Sequence, residues 1–201
     1  MDELTLIQDA IKGDLDAFNR LVLAYQDLAY NVAYRMLGDE AAAEECTQDS
    51  FLSAYKHLNT YRGGSFRSWV LRMVTNACYD ELRRRYRHPT VPLEPVNEED
   101  DEIESPSWLA SEEPSPEDLV EVKEIDTAIQ HCLSTLIPDF RAVIILVDIQ
   151  GLDYEEVSAS IRSPLGTIKS RLARARHKMR DCLQGFEELL PYPFRLDKEG
   201  R

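Results

Sequence analysis

Residues 162–180 carry seven cations, Arg162, Lys169, Arg171, Arg174, Arg176, Lys178 and Arg180, and no carboxylate. Groups of this type bind anions and do not by themselves make or break bonds. Wound at 100° per residue, Ile168, Leu172, Ala175 and Met179 fall on one side of a helix, with Leu183 continuing the stripe. The opposite side presents Gly166, Ser170, Ala173 and His177, flanked by Lys169, Arg174 and Arg180, while Arg171 and Arg176 stand nearer the apolar stripe. A cation run alone reads first as a solvated face, but small residues bordered by cations suit a helix that lies against a phosphate-walled groove. A second basic stretch, 62–87, holds seven arginines against Asp80 and Glu81. Overlapping its start, NTYRGGS over 59–65 brings Tyr61 and Arg62 beside two glycines. Read alone, this segment is either an interhelical connection or a loop whose aromatic and cation hold an unpaired base.

Catalytic chemistry finds no such grouping. His57, His88, His131 and His177 are scattered, and carboxylates do not cluster at ligand spacing. The expectation is therefore no metal, no cofactor and no enzymatic activity. Cys46, Cys78, Cys132 and Cys182 form no C-x-x-C pair and read as cytosolic thiols, with Cys78 and Cys182 packing into cores. The sequence has no apolar run of about 18 residues, so no membrane insertion is expected, and its acidic first residues are unlike a signal peptide.

The elements that must carry these groups are helical throughout. Gly13 and Gly38 punctuate an otherwise periodic stretch from Asp2 to about Leu58, which divides into a short helix through Ile11, a second capped by Asp14, and a third starting near Asp39. A fourth runs from Phe66 to Arg87, with Phe66, Trp69, Val70, Met73, Val74 and Ala77 on its apolar arc and Arg72, Asn76 and Arg83 on the border. Six prolines and the run EEDDEIE then interrupt the pattern. It resumes from Glu117 to Leu133, restarts at Pro138, stops at Gly151, and continues as a short helix over 152–157, a turn at Arg162 and Ser163, and the basic helix. Ser163 is expected to cap that helix through its hydroxyl, with Pro164 in its first position. Two helices joined by a tight turn, the second basic, make a helix-turn-helix. The fold class expected is all-α: two small helical domains joined by an acidic flexible linker, the C-terminal one a helix-turn-helix.

The net charge of −14 resolves along the same division. Residues 89–126 contain fourteen acids and only Lys123 as a base, so 23 acids and 22 bases remain elsewhere. The negative charge belongs mainly to the tether, and it does not oppose a nucleic-acid partner for the rest.

Three motifs now stand in order: EECTQDSFLSAYKHL over 44–58, FRSWVLRMVTNACYDELRRR over 66–85, and GTIKSRLARAR over 166–176. Together, separated by an acidic linker, they resemble the extracytoplasmic-function (ECF) class of the sigma-70 family. The resemblance implies an RNA polymerase sigma factor, cytoplasmic and nucleoid-associated when in holoenzyme, that binds core polymerase, recognises the −35 and −10 promoter elements and promotes DNA melting. It implies a region-2-like domain over 1–88, a linker over 89–118, a region-4-like domain over 119–187 and a tail over 188–201. Glu45, Gln48, Asp49 and Phe51 match the surface that docks on the clamp helices of the largest polymerase subunit, and the second domain would meet the flap region. Tyr61, Arg62, Arg72, Asn76, Asp80, Arg83 and Arg84 match positions that hold the single-stranded −10 element. Thr167, Lys169, Ser170, Arg171, Ala173, Arg174 and Arg176 match those on the −35 duplex, with Arg171 and Arg176 on phosphates. An anti-sigma factor is implied as a further partner.

Two positions depart from the family pattern: Arg162, where glycine is common at the tight turn, and Ser160, where an apolar residue is usual. A left-handed arginine costs about 1–2 kcal/mol, so either the turn is built differently or the second domain is less stable. The rival reading, a duplex-binding regulator that touches polymerase only incidentally, explains the helix-turn-helix but leaves the first domain without a role.

Overall fold

The computed structural model describes residues 2–87 and 116–189, and every regular element among them is helical. The first half comprises α1 (Glu3–Ile11), α2 (Leu15–Leu37), α3 (Glu40–His57) and α4 (Phe66–Arg87). Its joints follow local chemistry. Asp14 caps α2 by accepting from the amides of Asp16 and Ala17 at 2.9 and 3.1 Å, and Gly38 ends that helix at φ 67°. One residue later Asp39 starts α3 by accepting from the Ala42 amide at 2.7 Å. Helices α2, α3 and α4 pack on one another around Leu21, Val32, Met36, Val70, Leu71 and Val74, all nearly or fully buried. Each such side chain contributes about 1.5–3 kcal/mol through burial.

The buried arc of α4 is rotated from the one expected. Leu71, Thr75, Cys78 and Glu81 are buried, whereas Trp69, Met73 and Ala77 are half-buried. The reason is that α4 has neighbours on two sides, α2 and α3 on one and the second half of the chain on another. Thr75 returns its hydroxyl to the Leu71 carbonyl at 2.7 Å, and Glu81 is satisfied by Arg84 and Arg85 at 2.6 and 2.8 Å.

The second half comprises α5 (Pro116–Thr135), α6 (Pro138–Ile144), a π turn over Ile145–Ile149, α7 (Tyr154–Ile161) and α8 (Leu165–Leu183), followed by 3-10 turns over Gln184–Leu189. Helix α5 therefore begins inside the segment assigned to the linker. The rest of that acidic linker, through residue 115, and the tail from residue 190 lie outside the described residues. In the π turn the Gln150 amide reaches back five residues to the Ile145 carbonyl at 2.9 Å. Asp153 and Glu156 form a reciprocal capping box at the start of α7.

The two halves are packed against each other. Arg141 is buried and donates to the Met36 carbonyl at the end of α2 at 2.5 Å, and to the Ser134 and Leu136 carbonyls at 2.7 and 3.0 Å. Its Nε has no partner among the described residues, and burial pulls its pKa down from the usual value. Arg35 pairs with Asp126, Arg67 donates to Gln150 at 3.2 Å, and the Ser68 hydroxyl donates to Glu156.

Two expectations are corrected. Ser163 does not cap α8: the preceding residue is Pro164, which has no side-chain acceptor, and its carbonyl takes the Thr167 and Ile168 amides at 2.8 and 3.0 Å. The Ser163 hydroxyl is turned instead to Arg171, from which it accepts at 3.2 Å. The four cysteines are not all thiols. Cys132 of α5 and Cys182 of α8 form a disulfide, while Cys46 and Cys78 remain free and buried. Fifty residues separate the bonded pair, so no local spacing announces it.

Candidate nucleic-acid interface

Helix α8 buries Ile168, Leu172, Ala175 and Met179, the stripe read from periodicity. That packing turns Lys169, Ser170, Ala173 and Arg174 into solvent together, with Thr167 half-buried at the helix start. Lys169 lies 5.8 Å from the centre of the Tyr154 ring, which steadies its ammonium without neutralising it. Arg171 and Arg176 are held differently. Arg171 pairs with Asp139 at 2.5 Å, and Arg176 grips Asp148 through two bonds of 2.9 and 2.6 Å. The hydrogen bond to Asp148 raises the Arg176 pKa further. Arg171 thus pins α8 to α6 and Arg176 pins it to the π turn, and either would have to share its acid with a phosphate.

The turn before α8 is built in the ordinary left-handed manner, with Arg162 at φ 50° and ψ 46°. It is the only non-glycine residue with positive φ among the described residues. Its side chain is exposed and has no ion-pair partner among the described residues. Ser160, the other departure from the expected pattern, is buried.

In the first half, Asn76, Asp80, Arg83 and Arg84 lie exposed along α4, as does Arg62 in the preceding loop, while Arg72 is half-buried with its Nε enclosed and unpaired among the described residues. Asp80 pairs with Arg83 at 2.6 Å. Tyr61 is not a free loop side chain. It packs edge-on to Phe66 and Trp69, with centroids 5.5 and 5.8 Å away, and its hydroxyl donates to the Gly64 carbonyl at 2.6 Å. Gly63 and Gly64 both sit near φ 90°, a conformation that leaves the loop backbone open to approach.

The structure brings part of these two sets together. A cleft of about 1130 Å³ lies between α4 and the helix-turn-helix, with Asn76, Asp80 and Arg83 on one wall and Arg162, Ser163 and Arg171 on the other. Its rim includes Tyr86, which is 90% exposed, and Arg87. Neither of these two was expected in the site, although both continue the i+3/i+4 line of Asn76, Asp80 and Arg83. Tyr79 also lines the cleft, and burial, with the neighbouring Asp139 carboxylate, pushes its phenol pKa up. Lys169 and Arg174 are not among the residues lining the cleft.

The helix α3 surface is separate in character. Glu45, Gln48 and Asp49 are exposed and Phe51 is half-buried, beside exposed Leu52 and Tyr55. Ala42, Ala43, Cys46, Thr47, Ser50 and Ala54 face the core, so small residues let α3 approach its neighbours closely while its acids face outward.

Among known proteins, the chain matches the family models described as Sigma-70 region 2, over residues 21–88, and Sigma-70, region 4, over residues 126–179. It is 34% identical over 169 residues to the ECF RNA polymerase sigma factor SigE of Mycolicibacterium smegmatis, covering 84% of this chain and 62% of that relative. It is 32% identical to the RNA polymerase sigma-H factor of Pseudomonas aeruginosa, covering 89% of this chain and 92% of the relative. It is also 31% identical to the ECF RNA polymerase sigma factor SigW of Bacillus subtilis, over 89% and 95% of the two chains. A similar fold occurs in the sigma factor RpoE solved in complex with the anti-sigma factor NepR from Bartonella quintana, at TM-score 0.62 and 23% identity over 84% of this chain and 98% of that one. Another occurs in CnrH in complex with the cytosolic domain of CnrY, at TM-score 0.61 and 23% identity over 90% and 96% of the chains.

Proposed function

This chain belongs to the extracytoplasmic-function sigma factors of the sigma-70 family, and on that premise we propose how its surfaces divide the work of transcription initiation. The exposed polar groups of α3, Glu45, Gln48 and Asp49, with Phe51 behind them, dock on the clamp helices of the largest polymerase subunit. The 59–65 loop and the α4 edge at Arg72, Asn76, Asp80, Arg83 and Arg84 hold the unpaired −10 strand, with Tyr61 as the aromatic platform at the loop. Stacking and phosphate contact to a displaced strand stabilise the melted duplex, so binding energy alone favours opening. Lys169, Ser170, Ala173 and Arg174 face the base edges of the −35 duplex, and Arg171, Arg176 and Arg162 face its phosphates. The division into a region-2-like part over 1–88 and a region-4-like part over 119–187 follows from these roles, with the second part meeting the polymerase flap. The protein is cytoplasmic on this reading and joins the nucleoid as part of holoenzyme.

The observation that carries this reading is the separation of surfaces: outward acids on α3, and outward cations beside small residues on α8. Control by an anti-sigma factor is supported by the complexes in which the two similar folds were solved, and by the cleft between the halves, which offers such a partner both promoter-facing walls at once.

Reconstitution with core polymerase tests the assignment. Wild-type protein is expected to form holoenzyme and initiate at defined promoters. Lys169→Ala and Arg174→Ala should each weaken discrimination at −35, by about 1–3 kcal/mol where the side chain makes a bidentate base pairing, without changing core affinity. Glu45→Lys with Asp49→Lys should do the reverse. Core affinity that survives the α3 charge reversals would refute the docking assignment.

A further inference from the structure

The disulfide joins α5 to the last turn of α8. A chain that works on core polymerase works in a reducing compartment, so this step rests on the proposed function. Disulfides found in such compartments are typically transient and redox-sensing rather than permanent staples.

Its position is selective. The 50-residue span closed by the bond contains α6, the π turn, α7 and α8 as far as Cys182, and nothing from α1–α4. That span also holds three unfavourable features of the fold, left-handed Arg162, buried Arg141 with an Nε unpaired among the described residues, and the π turn, against one in α4, the enclosed Nε of Arg72. Helices α6 and α7 have seven and eight residues, too short to persist without tertiary support. By contrast α2, α3 and α4 have 23, 18 and 22 residues and pack on one another. Closing the loop removes unfolded-state freedom from the half that most needs it.

Cys132 is fully buried and Cys182 is half-buried in the last turn of α8, so an attacking thiolate approaches the bond from the Cys182 side. We propose that Cys132 and Cys182 form a thiol–disulfide switch that makes the folded state of α6–α8 conditional on oxidation, while α1–α4 keep the core they form among themselves. In the reducing direction a glutathione thiolate attacks Cys182 Sγ, the protein S–S bond breaks, and Cys132 leaves as a thiolate that takes up a proton. A second glutathione thiolate resolves the mixed disulfide, and glutathione disulfide departs with the Cys182 thiol restored. The oxidising direction reverses both exchanges: two protein thiols give up two electrons and two protons, and one glutathione disulfide becomes two glutathiones.

Full-length protein is equilibrated in glutathione buffers of graded redox poise. Three quantities are read: thiol state by differential alkylation and mass spectrometry, local stability by amide hydrogen exchange, and −35 duplex affinity by anisotropy. The oxidised form should show thiols only at Cys46 and Cys78, and the reduced form at all four cysteines. On reduction, protection of α6–α8 amides should fall at least about ten-fold while that of α2–α4 holds. The Cys132→Ala, Cys182→Ala double variant should match the reduced form in every buffer. Full alkylation of Cys132 and Cys182 after incubation with glutathione disulfide, or equal α6–α8 protection in both states, overturns the switch. A fall in protection with unchanged duplex affinity supports the switch and refutes instead the assignment of Lys169 and Arg174 to −35 reading.

Discussion

Replacing Arg162 by glycine should stabilise the protein, an unusual direction for a substitution in a functional turn. Arg162 occupies φ 50° and ψ 46°, where a Cβ crowds the backbone and costs about 1–2 kcal/mol. Glycine removes that strain but gives the unfolded chain more freedom, which offsets about 0.4–1 kcal/mol. The side chain has no ion-pair partner among the described residues, so its removal subtracts little else. The net expectation is a gain of about 0.5–1 kcal/mol. Arg162→Ala separates the two effects, because it removes the charge and keeps the Cβ, and its stability should stay near wild type. Urea unfolding of the three proteins, compared at constant m-value, reads the difference directly. If the glycine variant is no more stable than the alanine variant, the strain argument fails. The same pair serves a binding assay: both variants lack one phosphate-facing cation, so both should lower −35 duplex affinity equally and reduce its salt dependence by about one charge.

Arg141→Met should destabilise the protein by about 3–5 kcal/mol in chemical unfolding, because it abandons three carbonyl acceptors at a buried position, one of them on the other half of the chain; a loss below about 1 kcal/mol would show that the acceptors find other donors. Glu81 carries a pH signature. Hydrogen bonds from Arg84, and then Arg85, hold its carboxyl below the ordinary 4.5. Its contribution is therefore complete above pH 4.5 and is lost as pH falls through the lower folded-state value. Glu81→Gln should flatten that acid limb of the stability profile, and an unchanged limb would assign acid sensitivity elsewhere.

Helix ends and helix faces were legible in the linear order of residues. Asp14 and Asp39 stand just before helices and cap them, Gly38 accepts the left-handed angle after one, and the stripe Ile168, Leu172, Ala175 and Met179 is the buried face of α8. Each of these depends on residues within a turn or two of one another, so the sequence by itself determines them. The family was legible for the same reason, since its three motifs are continuous helical segments. Ser163 marks the limit of local signals: a serine before a helix is a sound cap candidate, but Arg171, eight residues on, takes up its oxygen.

The tertiary structure alone decided which distant groups meet. Nothing in the spacing of Cys132 and Cys182 couples them across 50 residues, and nothing local aims Arg141 at Met36 across 105. Arg171 and Arg176 stand in sequence as two more cations of α8, and only packing sets them against Asp139 and Asp148, acids that each would share with a phosphate. Helical periodicity tells which side of α8 turns inward, but not of α4, whose second set of neighbours rotates its buried arc onto Leu71, Thr75, Cys78 and Glu81. The partner on that side is chosen by how the halves pack, and that packing also turns Asn76, Asp80 and Arg83 toward the Arg162 turn across one cleft.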